Sequence, residues 1–449
     1  MSKQKIQLSD HFDYSRLLRF VLPCVGTMLF TSIYGIVDGL CVSNFVGKTA
    51  FAAVNLIMPV PMLVGSVGFM LGTGGSAIVG ITLGEGDREK ADRYFSLFVW
   101  TGLVAGLLLA VVGFFAVRPA ASLLGAKGEM LDYAVRYGRL LMICLPFFIL
   151  QNMFQSFFVT AEKPHLGFTF TVAAGVTNMV LDVVLVGMLH GGVEGAAIAT
   201  FISQAVGGVL PVFYFLNKRS TSSIHLGRAQ WNGGVIRSAC INGSSELMTN
   251  LSMSLVNILY NYQLLRLAGE NGVAAYGVIM YAAFLFVAVF VGYAVGSAPI
   301  VSFHYGARNH AEVHNLYRKS LRLIAVVAVT LTLASMFIIP CVARVFVGYD
   351  AELLALTSRA FRLYALSFLI MGFNVYASSF FTALGDGVTS ALISFLRTLA
   401  FQVIAILLLP MLLGIDGIWL AVTAAELAAL AVSAAMLLTK DKVFHYRKA

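Results

Sequence analysis

Apolar stretches long enough to cross a bilayer recur along the whole of this sequence, and that feature constrains its fold more than any other. A helix needs about 20 predominantly apolar residues to span a ~30 Å hydrocarbon layer. Cutting the sequence at its polar and Gly/Pro-rich stretches leaves twelve such segments: 15–43, 50–83, 94–118, 130–161, 165–189, 193–217, 233–266, 272–305, 314–345, 352–384, 388–412 and 416–439. Lipid offers the backbone no hydrogen bonds, so spans of this length must be helices that satisfy their own amides. The expected fold class is therefore an all-α integral membrane protein with twelve transmembrane helices. Composition agrees, since 59% of the 449 residues are hydrophobic and only 11% are charged, against roughly 25% charged in soluble domains. The first 19 residues are polar and lack a signal peptide's apolar core and small-residue cleavage site, so the first span is expected to be retained.

Twelve is even, which puts both termini on one side, and the basic residues decide which. With the amino terminus inside, 20 Lys and Arg fall to the termini and even-numbered connections and nine to the opposite side, with Arg397 within a span. Both termini are therefore expected to be cytoplasmic in a multi-pass protein of the cell membrane. The net charge of +9 is dispersed over short loops without aromatic interleaving or a binding motif, so no nucleic-acid partner is expected. Cys24, Cys41, Cys144, Cys240 and Cys341 stand singly in or beside apolar segments, which fits small packing residues better than a disulfide framework or a zinc site. There is no glycine-rich phosphate loop ahead of a Lys-Ser/Thr pair and the histidines are scattered, so neither ATP drive nor an enzyme constellation is expected.

The chain also repeats itself. With residue n set against n+222, GKTAFAAVNLIM (47–58) lies on GENGVAAYGVIM (269–280), IVGITLG (78–84) on IVSFHYG (300–306), and GGVEGAAIAT (191–200) on LGIDGIWLAV (413–422), while Thr160 falls over Thr382. Six helices were duplicated. Because six is even, both copies start on the same side, giving two parallel-repeat six-helix lobes about an axis along the membrane normal. The expected division is an N-lobe over 1–217, a basic cytoplasmic linker over 218–232 and a C-lobe over 233–449. Two equivalent lobes make a cleft whose rocking gives alternating access, the mark of a transporter, although duplicated bundles also serve as channels or scaffolds.

Within this apolar frame a few polar residues stand out. Asp182 lies inside TNMVLDVVLVG (177–187), where an unpartnered acid costs ~2.5–3.5 kcal/mol on insertion scales and therefore faces a partner or an aqueous cavity. Asn178 is one turn away on the same face. Asp38, in TSIYGIVDGLCVSN with Tyr34 one turn before it, lies near the outer end of span 1 at a depth comparable to Asp182 in span 5. The repeat places Tyr260, Ala400 and Ile404 opposite Asp38, Asn178 and Asp182, so the duplicated frame does not itself demand acids there. That favours an ion site over a helix-packing pair. One proton or one Na⁺ is then expected to settle the two carboxylates, with neutral oxygens from Asn178. In the second lobe Glu246, Arg397 and Glu426 are intramembrane charges. Arg397 and Glu426 either pair structurally, or together with Glu246 leave a net negative pocket for a cationic substrate. Asn152 and Asn374 are equivalent under the repeat, and both are candidates for the substrate cavity beside Tyr34. Met28, Met62, Met70, Met153, Met280 and Met371 could line an adaptable cleft.

The stretches IVDGLCVSNFVGKTAFAAVNL, GTGGSAIVGITLGEGDREKA and TNMVLDVVLVGMLHGGVEGAAIATFISQ, with IVSFHYGARNHAE as an echo, make the chain resemble the multidrug and toxic compound extrusion (MATE) transporters over its whole length. The resemblance implies export of amphipathic, often cationic organic compounds driven by inward flow of H⁺ or Na⁺, with no other cofactor. It also implies an N-lobe site formed here by Asp38, Asn178, Asp182 and Thr200, with Na⁺ as a possible occupant. Some relatives carry a further acid in span 10, but LSFLIMGFNVYASSFFTALGD has only Asn374 in its buried part, so a second-lobe sodium site of that kind is not expected. The expected partners are small organic substrates and membrane lipids, with the monomer as the working unit. Alternatives are a flippase or exporter of lipid-linked precursors or polysaccharide from the same superfamily, or a passive channel.

Overall fold

The computed structural model describes residues 6–46, 48–348 and 350–447, so Lys3 and Lys5 of the basic amino-terminal arm lie outside the described residues. The first six spans are α1 (Tyr14–Phe45), α2 with α3 (Lys48–Ile57, Pro59–Gly84), α4 (Arg88–Leu123), α5 (Glu129–Thr160), α6 (Pro164–Leu181) running into a π-helical turn at Asp182–Met188, and α7 (Gly192–Leu216). The second six are α8 (Gly233–Asn242) leading into α9 (Ser244–Gly306), α10 (His310–Val347), α11 with α12 (Ala351–Ala365, Phe368–Ala383), α13 and α14 (Gly387–Phe395, Phe401–Leu413) joined by π-helical Leu396–Ala400, and α15 (Ile415–Thr439). A short α16 (Asp441–Phe444) closes the chain.

Among the described residues ten helices are long and apolar enough to cross a membrane. The 63-residue α9 is two of the twelve spans, because Gly269 (φ 61°, ψ −151°) breaks it. The remaining span is α11 with α12, bent by 46°. Continuous helices were expected over 233–266 and 352–384, and both are interrupted. At Gly243 the cause is close packing, since a Cβ there would run into the carbonyl of Met70. At 366–367 the turn tightens, with Ser367 N bonded to Tyr364 O at 3.0 Å.

The duplication is legible in the backbone. Gly86 (φ 87°) and Arg308 (φ 56°), separated by 222 residues, hold the same left-handed turn, as do Gly192 (φ 57°) and Gly414 (φ 59°). Asp87 and Asn309, which follow the first pair, cap α4 and α10 by accepting from Lys90 N and Glu312 N.

Contacts between the lobes obey the same offset. Gly80 faces its own counterpart, Ser302, and Gly84 and Gly306 lie against the backbone of Phe303 and Ile81, where any Cβ would clash. Gly74 packs on Ala239 and Gly243, while its counterpart Gly296 packs on Val21 and Cys24. Residue pairs that exchange partners in this way define a pseudo-twofold axis between parallel lobes. All these approaches fall in the half of the bundle that carries the arm, the linker and the tail.

That end is tied further. Leu8 and Phe12 of the arm are buried. Leu8 N donates to Glu162 Oε1 in the first lobe (2.8 Å), and Phe12 N to Glu312 Oε1 in the second (2.9 Å). Asn315 and Lys319 donate to Phe12 O, and the Phe12 ring packs edge-on to Phe20 and His304. Within the linker, Ile224 and Leu226 are buried, and His225 N and Gly227 N donate to Asp92 Oδ1 and Ser96 Oγ of α4.

Candidate functional site

The first-lobe site is built by spans 1, 4, 5 and 6. Asp182 opens the π-helical turn of span 5, with Asn178 one turn earlier on the same face, and both are buried. A π-helical turn adds a residue to the circuit and shifts the face that follows it, so single turns of this kind mark places where a helix re-aims a side chain. Asp38 projects from α1, partly buried, within hydrogen-bonding reach of Asp182. As ionised groups both are acceptors only, so neither satisfies the other. Both Asp182 oxygens, Asp38 Oδ1 and Asn178 Nδ2 are buried with no hydrogen-bond partner. Among the described residues no Lys or Arg pairs with either acid.

Two residues beyond the sequence-based candidates join this cluster. Tyr137 of α5 is fully buried, with its hydroxyl beside Thr200 and within the field of Asp38 and Asp182. Cys41, expected to be a simple packing residue, lies beside both acids on α1. Its i+3 spacing from Asp38 was available in the sequence, because residues three apart share a helix face. Tyr137 had no such signal, since the register of span 4 against spans 1 and 5 is set by tertiary packing alone. Thr200 spends its hydroxyl hydrogen on Ala196 O (3.1 Å), which leaves its oxygen lone pairs free to accept. The donor set is oxygen throughout except for the thiol. Among the described residues there is no group of three His, Cys, Asp or Glu side chains arranged for a metal ion. Such a set suits a proton or a hard monovalent cation rather than a transition metal.

A second cluster lies in the other lobe. Glu426 is buried and accepts from Asn374 Nδ2 at Oε2 (2.7 Å) and at its backbone carbonyl (2.9 Å), while Ser433 Oγ donates to Asn374 Oδ1 (2.9 Å). Arg397 Nη1 is 3.7 Å from Glu426 Oε1. Glu246 of α9 lies in the field of Arg397 without a close pair. Arg397 sits in the π-helical turn of span 11, so the equivalent helices 5 and 11 each place a charged residue at such a turn, at different heights. Of the substrate-cavity candidates, Glu246, Asn374, Arg397 and Glu426 thus come together. Tyr34 stays with the first-lobe acids, packed against Phe30 and Gly175. Asn152 lies apart in α5, buried with its Nδ2 unpartnered. The equivalent threonines sit at the terminus-bearing end, where Thr160 O accepts from Ser223 Oγ and Thr382 Oγ1 donates to Ser390 Oγ.

The family model MatE matches the chain twice, over residues 23–184 and 247–408. "Multidrug export protein MepA" of Staphylococcus saprophyticus is 22% identical over 436 residues, covering 96% of this chain and 95% of the relative. The protein of that name from Staphylococcus haemolyticus is 23% identical over 385 residues, covering 86% and 84%. Among solved structures, one described as MATE in complex with MaL6 superposes with a TM-score of 0.92 at 23% identity, covering 100% of both chains. Another, described as the outward-facing conformation of a multidrug resistance MATE family transporter, gives 0.91 at 23% identity and the same coverage. At this identity the likeness establishes the fold: twelve helices in two lobes.

Proposed function

The chain belongs to the MatE family of multidrug and toxic compound extrusion transporters, and on that premise we propose that it is a secondary active exporter of amphipathic, cationic organic compounds, working by antiport against H⁺ or Na⁺. The observation that carries this reading is the pair Asp38 and Asp182: two facing carboxylates, present in one lobe only, with buried oxygens that find no hydrogen-bond partner among the described residues. Their mutual repulsion in a poorly hydrated site is relieved by one bound proton or one Na⁺, with Asn178, Thr200 and Tyr137 supplying neutral groups around it. Binding that ion lets spans 1 and 5 close on the site, and the change in the first-lobe cavity favours release of the substrate.

The relatives named MepA are multidrug export proteins, which supports the substrate class. So does the second-lobe cluster, where Glu246 is an acid in excess of the Arg397–Glu426 pair. The lobe contacts gathered at the terminus-bearing end support a cleft that opens on the far side, and the distribution of basic residues makes that side extracellular in the cell membrane. In this reading the monomer holds the whole pathway.

The test is dye export in everted vesicles with ΔpH and a sodium gradient imposed separately. Export should follow one of the two gradients in the wild type. It should vanish in Asp38→Asn and Asp182→Asn, which insert at normal levels because the amide keeps the shape and loses only the titratable charge. Full gradient-driven export in either variant would remove these residues from the coupling site.

A further inference from the structure

Between the acidic cluster and the terminus-bearing end, α1 and α6 meet through an aromatic contact. Gly175 of α6 has no side chain, and its place is taken by Phe30 of α1: a Cβ on Gly175 would overlap Phe30 Cε1 and come within 3.1 Å of Tyr34 Cδ1. The Phe30 and Tyr34 rings follow one another along α1, tilted by 45° with centroids 6.1 Å apart. Spans 1 and 5 run parallel, so heights along them are comparable. Asp38 and Asp182 lie about 12 Å and 10 Å beyond the Phe30–Gly175 contact at 1.5 Å per residue.

On the other side of the contact a few polar side chains stand among apolar ones. Two small adjoining crevices share Gln155 and Gly167; Thr27 from α1, Gln151 from α5, and Pro164 and Thr171 from α6 line them further, and Val295 of α9 in the second lobe borders the first of them. Pro164 is the first residue of α6, so the crevices reach the end of the bundle. Gln151 is buried, and its Oε1 has no hydrogen-bond partner. Along the buried face of span 5 the order is therefore Thr171, Gly175 under Phe30, Asn178 and Asp182: a crevice with amide and hydroxyl groups in its wall, an aromatic stopper and an acidic chamber. Orphaned buried polar groups are found where water or an ion completes the bonding.

We propose that Phe30 seated on Gly175 is a plug within the first lobe, and that the coupling ion leaves the Asp38–Asp182 chamber past it, through the Thr27/Gln151/Gln155/Thr171 crevice. This rests on the reading of the acids as the coupling site. A proton takes this route by passing from the carboxyl group to water in the crevice, leaving the carboxylate ionised; Na⁺ takes it by exchanging the carboxylates for the crevice amides and hydroxyls.

The experiment measures ion flux without drug in proteoliposomes, under an imposed pH or sodium gradient. Phe30→Ala should leak on the order of tenfold faster than wild type, equivalent to about 1.4 kcal/mol off the barrier. Phe30→Ala with Asp182→Asn should return to the wild-type rate, because the leak passes through the acidic site. Gln155→Leu, which makes the crevice apolar, should slow gradient-driven export in the otherwise wild-type protein. No leak in a folded Phe30→Ala, or a leak that survives Asp182→Asn, overturns the plug. Should Phe30→Ala not fold, unimpaired gradient-driven export in Gln155→Leu overturns the route and slowed export supports it. A wild type that exports without either gradient refutes the coupling reading itself, a separate result.

Discussion

Replacing Arg397 by leucine removes the one cation that lies within 4 Å of Glu426 among the described residues and leaves that carboxylate buried, held by Asn374. Losing one partner of a buried ion pair costs about 3–5 kcal/mol. The carboxylate has an escape, which is to take up a proton, and that sets a ceiling. Protonating a carboxylate with an ordinary value near 4.3 costs about 1.36 kcal/mol for each pH unit above it, or about 3.7 kcal/mol at pH 7. The deficit of Arg397→Leu should therefore be about 3–4 kcal/mol at pH 7 and smaller by about 1.4 kcal/mol at pH 6. Glu426→Gln should cost less, because Gln keeps an acceptor for Asn374, and Arg397, partly exposed, retains Glu246 in its field. In the double variant both charges are gone, so the sum of the single effects should overshoot it by at least about 1 kcal/mol. Reversible unfolding in mixed detergent micelles, run on the four proteins at both pH values, gives the cycle. Effects that add to within about 0.5 kcal/mol would mean that Arg397 and Glu426 do not support one another, and equal deficits at the two pH values would refute the proton ceiling.

Gly84→Val should hold the lobes apart at the terminus-bearing end, since its side chain must displace the Phe303 carbonyl. An overpacking cost of about 1–3 kcal/mol corresponds to a population shift of roughly 5- to 150-fold, to be read as longer distances between spin labels at exposed Glu89 and Arg318; an unchanged distance distribution would contradict the seal. The pair Lys440–Asp386 (2.8 Å) lies outside the spans and gives a pH signature. Burial alone would raise Asp386, but Lys440 and Thr389 hold it below the usual carboxylate value. Its stabilisation is present above the ordinary value of about 3.9 and is lost as pH falls through the lower folded value. Because Lys440 is about a third exposed, Lys440→Ala should cost less than about 1 kcal/mol at pH 7 and nothing in strong acid, and a cost that grew on acidification would contradict the pairing.

What the sequence displayed and what it hid divide along physical lines. A charge in hydrocarbon is conspicuous because it must be compensated, so Asp182, Asp38, Arg397 and Glu426 announced themselves as residues. Which groups compensate them depends on the rotation of one helix against another, and no local pattern carries that. Tyr137 sits in AVRYGR, where a tyrosine looks like an ordinary interfacial aromatic, yet its hydroxyl ends beside Thr200. The π-helical turns were equally silent, since TNMVLDVVLVG and LRTLA differ in no propensity from α-helical neighbours. The repeat did foreshadow the lobes, but only the fold shows that its glycines are where they touch, with Gly80 set against its own counterpart Ser302.

The arm that crosses between the lobes has a consequence for how the protein is made. Leu8 and Phe12 are synthesised before any span, whereas Glu312, which receives Phe12 N, lies 300 residues later. At 5–20 residues per second the ribosome needs about 15–60 s to cover that distance. During that time two apolar side chains destined for the interior have no binding site, because half of it does not yet exist. A segment translated ahead of all twelve spans is thus late to dock, and it docks only when the ninth span has reached its place beside the first lobe. Arm docking is therefore a structural record of the ninth span's arrival, and protease protection around Leu8 and Phe12 would report on biogenesis rather than on transport.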